Sequence, residues 1–350
     1  MKPFEHKPAA HCETGVTANL LNFHGIKISE PMALGLGAGL FFSHMPFVTL
    51  HGMAVTSFRP LPGQIFSRVT KALGVKVKKR RFLNRDRSMR ALDGLLARGL
   101  PAGVLVGVFH LPYFPKEYRF HFNAHNIAVT GKENGRYIIS DPVLMHKETI
   151  GYEALKRCRY AKGTYPPYGK MYWIDRVKTQ HPDLPRAIVH AIKLNCRRML
   201  DIPVPFFGVR GIGMLAKRMR RWEQRFGSGR AALNLAQIVR MLEEIGTGGA
   251  GFRFMYAAFL QEAAGILGNP AFKTHALRMT EAGDRWRDFA AEAGRKFKNR
   301  GENICSYDEL ADKLVKIAGM EEALFRALRR AVKEYKQQPP QHSKTPCKPQ

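Results

Sequence analysis

His125-Asn126-Ile127-Ala128-Val129-Thr130-Gly131, then Lys132-Glu133-Asn134-Gly135, then Arg136-Tyr137-Ile138-Ile139-Ser140-Asp141-Pro142, is the stretch on which the reading of this chain turns. Two β-rich segments flank an Asn-Gly pair, which predicts a hairpin with a tight turn. Pro142 cannot donate to a strand ladder and closes the second segment. Antiparallel pairing about the turn brings His125, where the hairpin opens, beside Asp141, where it ends. Cross-strand and diagonal neighbours lie ~4.5–8 Å apart, so an imidazole and a carboxylate can meet there. An oriented histidine of this kind is the base half of a nucleophilic site.

The nucleophile must come from elsewhere. Cys12 stands directly before a helical pattern, Thr14 to Phe23, that Gly25 stops. A lone cysteine is usually a small buried hydrophobe. At a helix N-terminus, however, the dipole and free N–H groups favour a thiolate and can hold an oxyanion. Cys12, His125 and Asp141 are therefore the candidate catalytic residues. On the residues alone, ordinary polar roles for His125 and Asp141 at the hairpin ends remain open.

Working outward, Ser29-Glu30-Pro31 predicts a helix start, with Ser29 capping and Pro31 in the first turn. Glu30 has two readings, a helix-end acid and a carboxylate that binds a cationic amine. Gly35-Leu36-Gly37-Ala38-Gly39 lacks the Gly-Lys-Ser/Thr of a phosphate loop and predicts close packing or a flexible substrate wall. Met32 to Leu50 is the most apolar run, but Ser43, His44, Pro46 and its glycines interrupt it. A buried helix followed by a loop is expected there rather than a membrane span. Arg59–Leu73 and Ser88–Arg98 predict helices, and Lys76–Phe82 and Gly103–His110 predict strands. From about Pro185 amphipathic helical patterns dominate: 187–200, 211–226, 231–245, 252–267, 272–298 and 306–336. The expected organisation is an α+β half over 1–182, an α-helical half over 183–336 and a disordered tail over 337–350.

At 350 residues the chain is long enough for two domains, and 45% hydrophobic with 24% charged residues fits a folded protein with a core. Five widely spaced cysteines, Cys12, Cys158, Cys196, Cys305 and Cys347, form no C-x-x-C pair. That predicts free thiols in a reducing cytoplasm rather than disulfides or zinc. His121 and His125 are four apart but lack the glutamate of a metalloprotease helix, so no metal is expected. The N-terminal stretch has no apolar h-region, so no secretory signal is expected. The net charge of +29 attracts anionic partners. Its two densest runs are Lys76–Arg90 and Arg210–Arg230.

Taken together, His11-Cys12-Glu13-Thr14-Gly15, Ile28-Ser29-Glu30-Pro31-Met32 with the glycine run, and His125-x4-Thr130-Gly131…Asp141-Pro142 resemble the butirosin-biosynthesis H family over roughly residues 6–180. The helical half is similar to the uncharacterised domain that often follows it. The resemblance implies a papain-like cysteine-protease fold related to double-glycine peptidases, in an α+β N-terminal half. It also implies acyl transfer: Cys12 as nucleophile, His125 as base, Asp141 as orienting acid. The donor would be an acyl carrier protein and the acceptor an amine or hydroxyl of a small molecule. No cofactor of its own is implied, since phosphopantetheine belongs to the donor. Papain-like peptidases place a glutamine shortly before the cysteine as an oxyanion donor, and none precedes Cys12. The Cys12 N–H, with His11 as a side-chain option at the substrate site, is the expected substitute.

An acidic carrier protein fits the basic runs, because complementary charge speeds encounter. No zinc-finger or RNA-binding signature occurs, and aromatics are not interleaved with the basic runs, so nucleic acid is not expected. The rival readings are a cysteine peptidase or amide hydrolase with the same triad, and a non-catalytic basic binding protein. The helical half has three open roles: covering the site, docking the carrier or building a homodimer.

Overall fold

The computed structural model describes residues 2–50 and 52–337. Residues 338–350, almost all of the expected tail, lie outside the described residues. The N-terminal half runs α1 (Cys12–Phe23), α2 (Glu30–Leu36), β1 (Ser43–Leu50), β2 (Met53–Ser57), α3 (Gln64–Ala72), β3 (Val75–Arg80), α4 (Arg85–Leu96), β4 (Ala102–Val106), β5 (His125–Glu133), β6 (Arg136–Ser140), β7 (Glu148–Ile150), α5 (Tyr152–Arg159) and β8 (Met171–Val177). The helical half follows as α6 (Leu184–Leu200), α7 (Gly208–Met219), α8 (Trp222–Phe226), α9 (Ser228–Val239), α10 (Arg253–Leu267), α11 (Ala271–Lys298) and α12 (Tyr307–Gln337).

Six strands form one antiparallel sheet in the order β3-β8-β4-β5-β6-β7, and β1 with β2 forms a separate hairpin. Alternation along β5 sorts its side chains. Ile127 and Val129 join the core that α4 and α5 cover, while Ala128 joins the larger core shared with α1, α2 and α3. That larger core continues through Ile188, Leu215, Phe259, Trp286 and Phe325, so the two halves bury one apolar interior. Among the described residues no helix is long and apolar enough to cross a membrane.

The hairpin β5–β6 forms about Asn134 (φ 46°) and Gly135 (φ 75°), both left-handed as the turn requires. It carries one feature the sequence reading lacked. Glu133 pairs with Arg136 and Gly131 with Ile138, but Val129 pairs with Ile139, so Thr130 is an extra residue in β5. This bulge decides which face Asp141 occupies. Continued from the turn without it, the register sets Asp141 opposite Ala128, whose side chain points away from that of His125. With it, Ser140 pairs with Ala128, so Asp141 falls opposite Ile127 and shares the face of His125 as a diagonal neighbour.

The expected buried helix from Met32 is short. It ends at Leu36, Gly37 caps it, and residues 43–50 form β1 instead of a loop. Pro46 is accommodated because β1 is irregular between Met45 and Thr49, where no ladder N–H is needed. Of the two readings of the glycine run, packing is what the structure has. A Cβ on Gly35 would overlap the Phe259 ring of α10, one on Gly37 would meet Ile65, and one on Gly39 would meet Leu34. Ser29 Oγ both accepts from Met32 N–H (3.0 Å) and donates to Glu262 of α10 (2.7 Å), so α2 is seated on the helical half at two points. Gly35→Ala therefore forces α2 off Phe259, with an expected cost of about 1–3 kcal/mol. The check is the urea midpoint: Gly35→Ala lowers it, and Phe259→Leu in the same chain recovers part of the loss. An unchanged midpoint would mean that α2 does not bear on α10.

Candidate active site

Cys12 is the first residue of α1, which begins two residues before the expected Thr14. His11 occupies the cap with extended backbone (φ −128°, ψ 130°). First-turn N–H groups have no intrahelical partner, so the Cys12 N–H is available to a ligand. The segment ahead of Cys12 is tied to the segment around Asp141. Ala9 N–H donates to Pro142 O (2.6 Å), while the His6 ring bonds Ser140 Oγ (2.8 Å) and Leu144 O (3.1 Å). Gly15 permits the approach, because a Cβ there would stand 2.6 Å from both Ala9 Cβ and Pro142 Cβ.

The structure brings Cys12, His125 and Asp141 together in a buried site. His125 Nε2 donates to Asp141 Oδ2 at 2.8 Å, which leaves Nδ1 for the thiol. Burial opposes charge on His125, but the Asp141 carboxylate and its hydrogen bond, with the Cys12 sulfur, outweigh it and hold the imidazole up at about 10. Burial likewise opposes a Cys12 thiolate. The hydrogen bond and charge of His125, the Arg59 charge and the Asn126 backbone N–H reverse that and hold the thiol below its ordinary value. The two shifts describe one ion pair, thiolate with imidazolium, stabilised by Asp141. Tyr113, absent from the sequence reading, donates its hydroxyl to Asp141 Oδ2 at 3.1 Å, and Val143 N–H approaches Oδ1 at 3.4 Å.

His11 and Glu30 lie beside Cys12, but both are engaged within the protein. The Glu30 carboxylate accepts Ala10 N–H (2.9 Å), His11 N–H (2.8 Å) and the Thr14 hydroxyl (2.8 Å). It fixes the chain entering α1. Burial nonetheless raises the Glu30 carboxyl above its ordinary value, against those three bonds. Arg59 donates to His11 Nε2 and to Glu13. A guanidinium has donors only. His11 Nε2 therefore faces a donor, while Nδ1 lies 3.1 Å from Thr14 Oγ1 and accepts Thr14 N–H at 3.3 Å as the cap of α1. Burial, then Arg59 and His125, keep this ring neutral.

Glu13 and Arg59 escaped the sequence reading. Glu13 is fully buried and accepts Gly63 N–H (3.0 Å) and Phe66 N–H (3.2 Å), which caps α3. It thereby holds Arg59 where its charge acts on Cys12. Glu13 follows Cys12 directly, but nothing local marks Arg59, whose partners lie 46 and 48 positions away.

The helical half supplies a wall. Residues 246–252 lie against the chain before Cys12, with Gly246 beside Ala10 O and Gly248 beside Ala10 Cβ. Phe252 meets the His11 ring edge-on at 5.1 Å. Ala250, Gly251 and Phe252 are consecutive left-handed residues (φ 50°, 56° and 74°), a strained path for the two that are not glycine. Farther out, each basic run contributes to a surface cavity. One of about 440 Å³ includes Arg85, Lys156, Arg157, Lys162, His110 and His121. Another of about 490 Å³ includes Lys217, Arg218, Arg221 and Arg225. Among the described residues there is no cluster of side chains able to hold a metal ion. His121 stacks on Phe109, with ring centroids 4.2 Å apart.

A cysteine at the head of a helix, facing a histidine–aspartate pair on an antiparallel sheet, is the papain-like arrangement the resemblance implies. A solved structure described as a C39-like peptidase from Bacillus anthracis matches at 15% identity with a TM-score of 0.35, over 51% of this chain and 96% of that one. No curated protein matches. Residues 11–142 match the family described as butirosin biosynthesis protein H, N-terminal, which contains the whole triad. Residues 153–328, half of the chain, match a domain of unknown function, DUF4872. The chain belongs to the family with a DUF4872 domain, here preceded by a segment, residues 11–142, that matches the butirosin biosynthesis protein H N-terminal family.

Proposed function

We propose that this protein is a thiol-dependent acyltransferase that takes an acyl group from the thioester of an acyl carrier protein and passes it to an amine or hydroxyl. The observation that carries the reading is the His125–Asp141 ion pair set against a Cys12 thiol held below its ordinary value. The thiolate adds to the thioester carbonyl. The tetrahedral adduct expels the donor thiolate, which takes a proton from the His125 imidazolium. Neutral His125 then removes a proton from the acceptor as it attacks acyl-Cys12, and Cys12 departs as the thiolate, which restores the thiolate–imidazolium pair. A thioester donor suits this nucleophile because one thiolate replaces another. The net charge of +29 supports an anionic donor, and a carrier protein with its phosphopantetheine arm is one.

Intact-mass spectrometry of wild type and Cys12→Ala, mixed with carrier proteins bearing different acyl groups, tests this. Wild type should gain the mass of the acyl group within one turnover, and Cys12→Ala should gain none. Adding an amine should discharge the acyl-enzyme faster than water does. Discharge at the same rate without amine would instead identify a hydrolase. No mass gain from any donor would remove the carrier reading.

A further inference from the structure

An acyl-transfer site needs a preorganised donor for the oxygen that becomes negative when the thiolate adds, and the glutamine used by papain-like peptidases is missing. The geometry points to Asn126 as the side-chain oxyanion donor, acting with the Cys12 N–H, an assignment that deepens the acyltransferase reading and rests on it.

Asn126 follows His125 in β5 and has the parity of Ala128, so it projects toward α1. Its amide is buried, and its orientation is set by chemistry. Ala124 O, 3.2 Å from the amide nitrogen, can only accept, so the NH₂ group must lie on that side. The Tyr172 hydroxyl then donates to Oδ1 at 2.8 Å. Burial raises Tyr172 well above its ordinary value, so it stays a hydroxyl donor. With one amide hydrogen on Ala124 O, the other faces Cys12 Sγ at 3.9 Å.

When Sγ bonds to the acyl carbon, the carbonyl π pair moves to oxygen and the sulfur loses its charge. The oxyanion stands two bonds from Sγ, so a donor 3.9 Å from Sγ reaches it when the carbonyl oxygen is turned to the Asn126 side. The Cys12 N–H, at the head of α1, approaches from the helix side. Other candidates beside Cys12 are occupied: the His11 nitrogens face Thr14 and Arg59. The Asn126 backbone N–H, which helps hold the thiol down, is unaffected by side-chain substitution. Thiolate formation and oxyanion stabilisation can therefore be measured apart.

The test uses the full chain and two probes that need no carrier protein. Iodoacetamide alkylation of Cys12 reads the thiolate. The nitrophenolate burst from p-nitrophenyl acetate reads addition to a carbonyl. Asn126→Ala should leave the alkylation rate within a few-fold of wild type and cut the burst rate by about 10²–10³-fold. Asn126→Asp keeps the volume and the Tyr172 bond while removing the donor, and its burst-to-alkylation ratio should fall at least as far. Asn126→Gln, which restores an amide on a longer arm, should recover part of the burst. A burst unchanged in the Ala and Asp variants, or a burst and alkylation that fall by the same factor, overturns the assignment. So does the absence of any burst from wild type. If instead wild type gives a burst that depends on Asn126 while every acyl-loaded carrier is inert, the oxyanion assignment stands and the carrier reading fails.

Discussion

Asp141→Asn should reduce acyl transfer by about 10³–10⁴-fold and move the onset of Cys12 reactivity to higher pH. The substitution keeps the size of the side chain and an oxygen facing His125, and removes one negative charge. In the wild type burial pulls His125 down, and the Asp141 carboxylate overrides it to hold the ring up at about 10. The thiolate–imidazolium pair therefore exists from the lowered value of Cys12 up to about pH 10. Alkylation of wild-type Cys12 should rise as pH passes that lowered value and then hold level. Without the carboxylate, burial decides and His125 is neutral at neutral pH. The charge and hydrogen bond that offset burial at Cys12 are then lost, so the thiol titrates upward. Plotting iodoacetamide rate against pH checks this. A variant profile superimposed on the wild type would mean that Asp141 only braces Tyr113 and Val143, and that the ion pair has another source.

How much of this site was legible in the sequence depends on the range of the forces that build it. The hairpin was legible because Asn134 and Gly135 supply left-handed backbone where it is needed and the flanking residues have strand character. Its ends were legible as neighbours, but not the one-residue bulge at Thr130 that puts Asp141 on the face of His125. Thr130 has no local mark. Asn126 could not have been found from strand alternation, which sets its side chain on the opposite face of β5 from that of His125; its contact with Cys12 depends on where α1 packs. Glu13, Arg59 and the 246–252 wall could not either, because burial and ion pairing between distant segments select them. The amphipathic stripes of the helical half placed most of its helices to within a few residues, but 211–226, expected as one helix, is α7 and α8, broken at Arg220–Arg221. Its glycine-rich break at 246–251 reads as a connector in sequence, yet it lies against the chain that enters α1.

A buried ion pair helps to hold that connector, and breaking it should be strongly destabilising. Arg253 and Glu321 are both fully buried. Glu321 accepts Arg253 Nε at 2.8 Å, the terminal Arg253 nitrogen at 2.9 Å and Trp286 Nε1 at 2.7 Å. The remaining guanidinium nitrogen donates to Gly251 O at 2.8 Å, and the guanidinium lies 5.1 Å from the Trp286 ring centroid and 5.5 Å from that of Phe58. Glu321→Leu leaves the Arg253 charge buried without its partner, and Arg253→Met does the same to Glu321. Either is expected to cost about 3–5 kcal/mol, read as a lowered urea midpoint at constant m-value. The double variant removes both charges and should recover most of that loss, because desolvating the pair offsets much of its attraction. Gly251 O, however, loses its donor in both Arg253 variants. The left-handed residues 250–252 then have less to hold them, and Phe252 loses its fixed place against His11. The double variant should thus fold nearly as stably as wild type yet alkylate and acylate Cys12 more slowly. Recovery of stability together with full Cys12 reactivity would show that the wall encloses the site without shaping it.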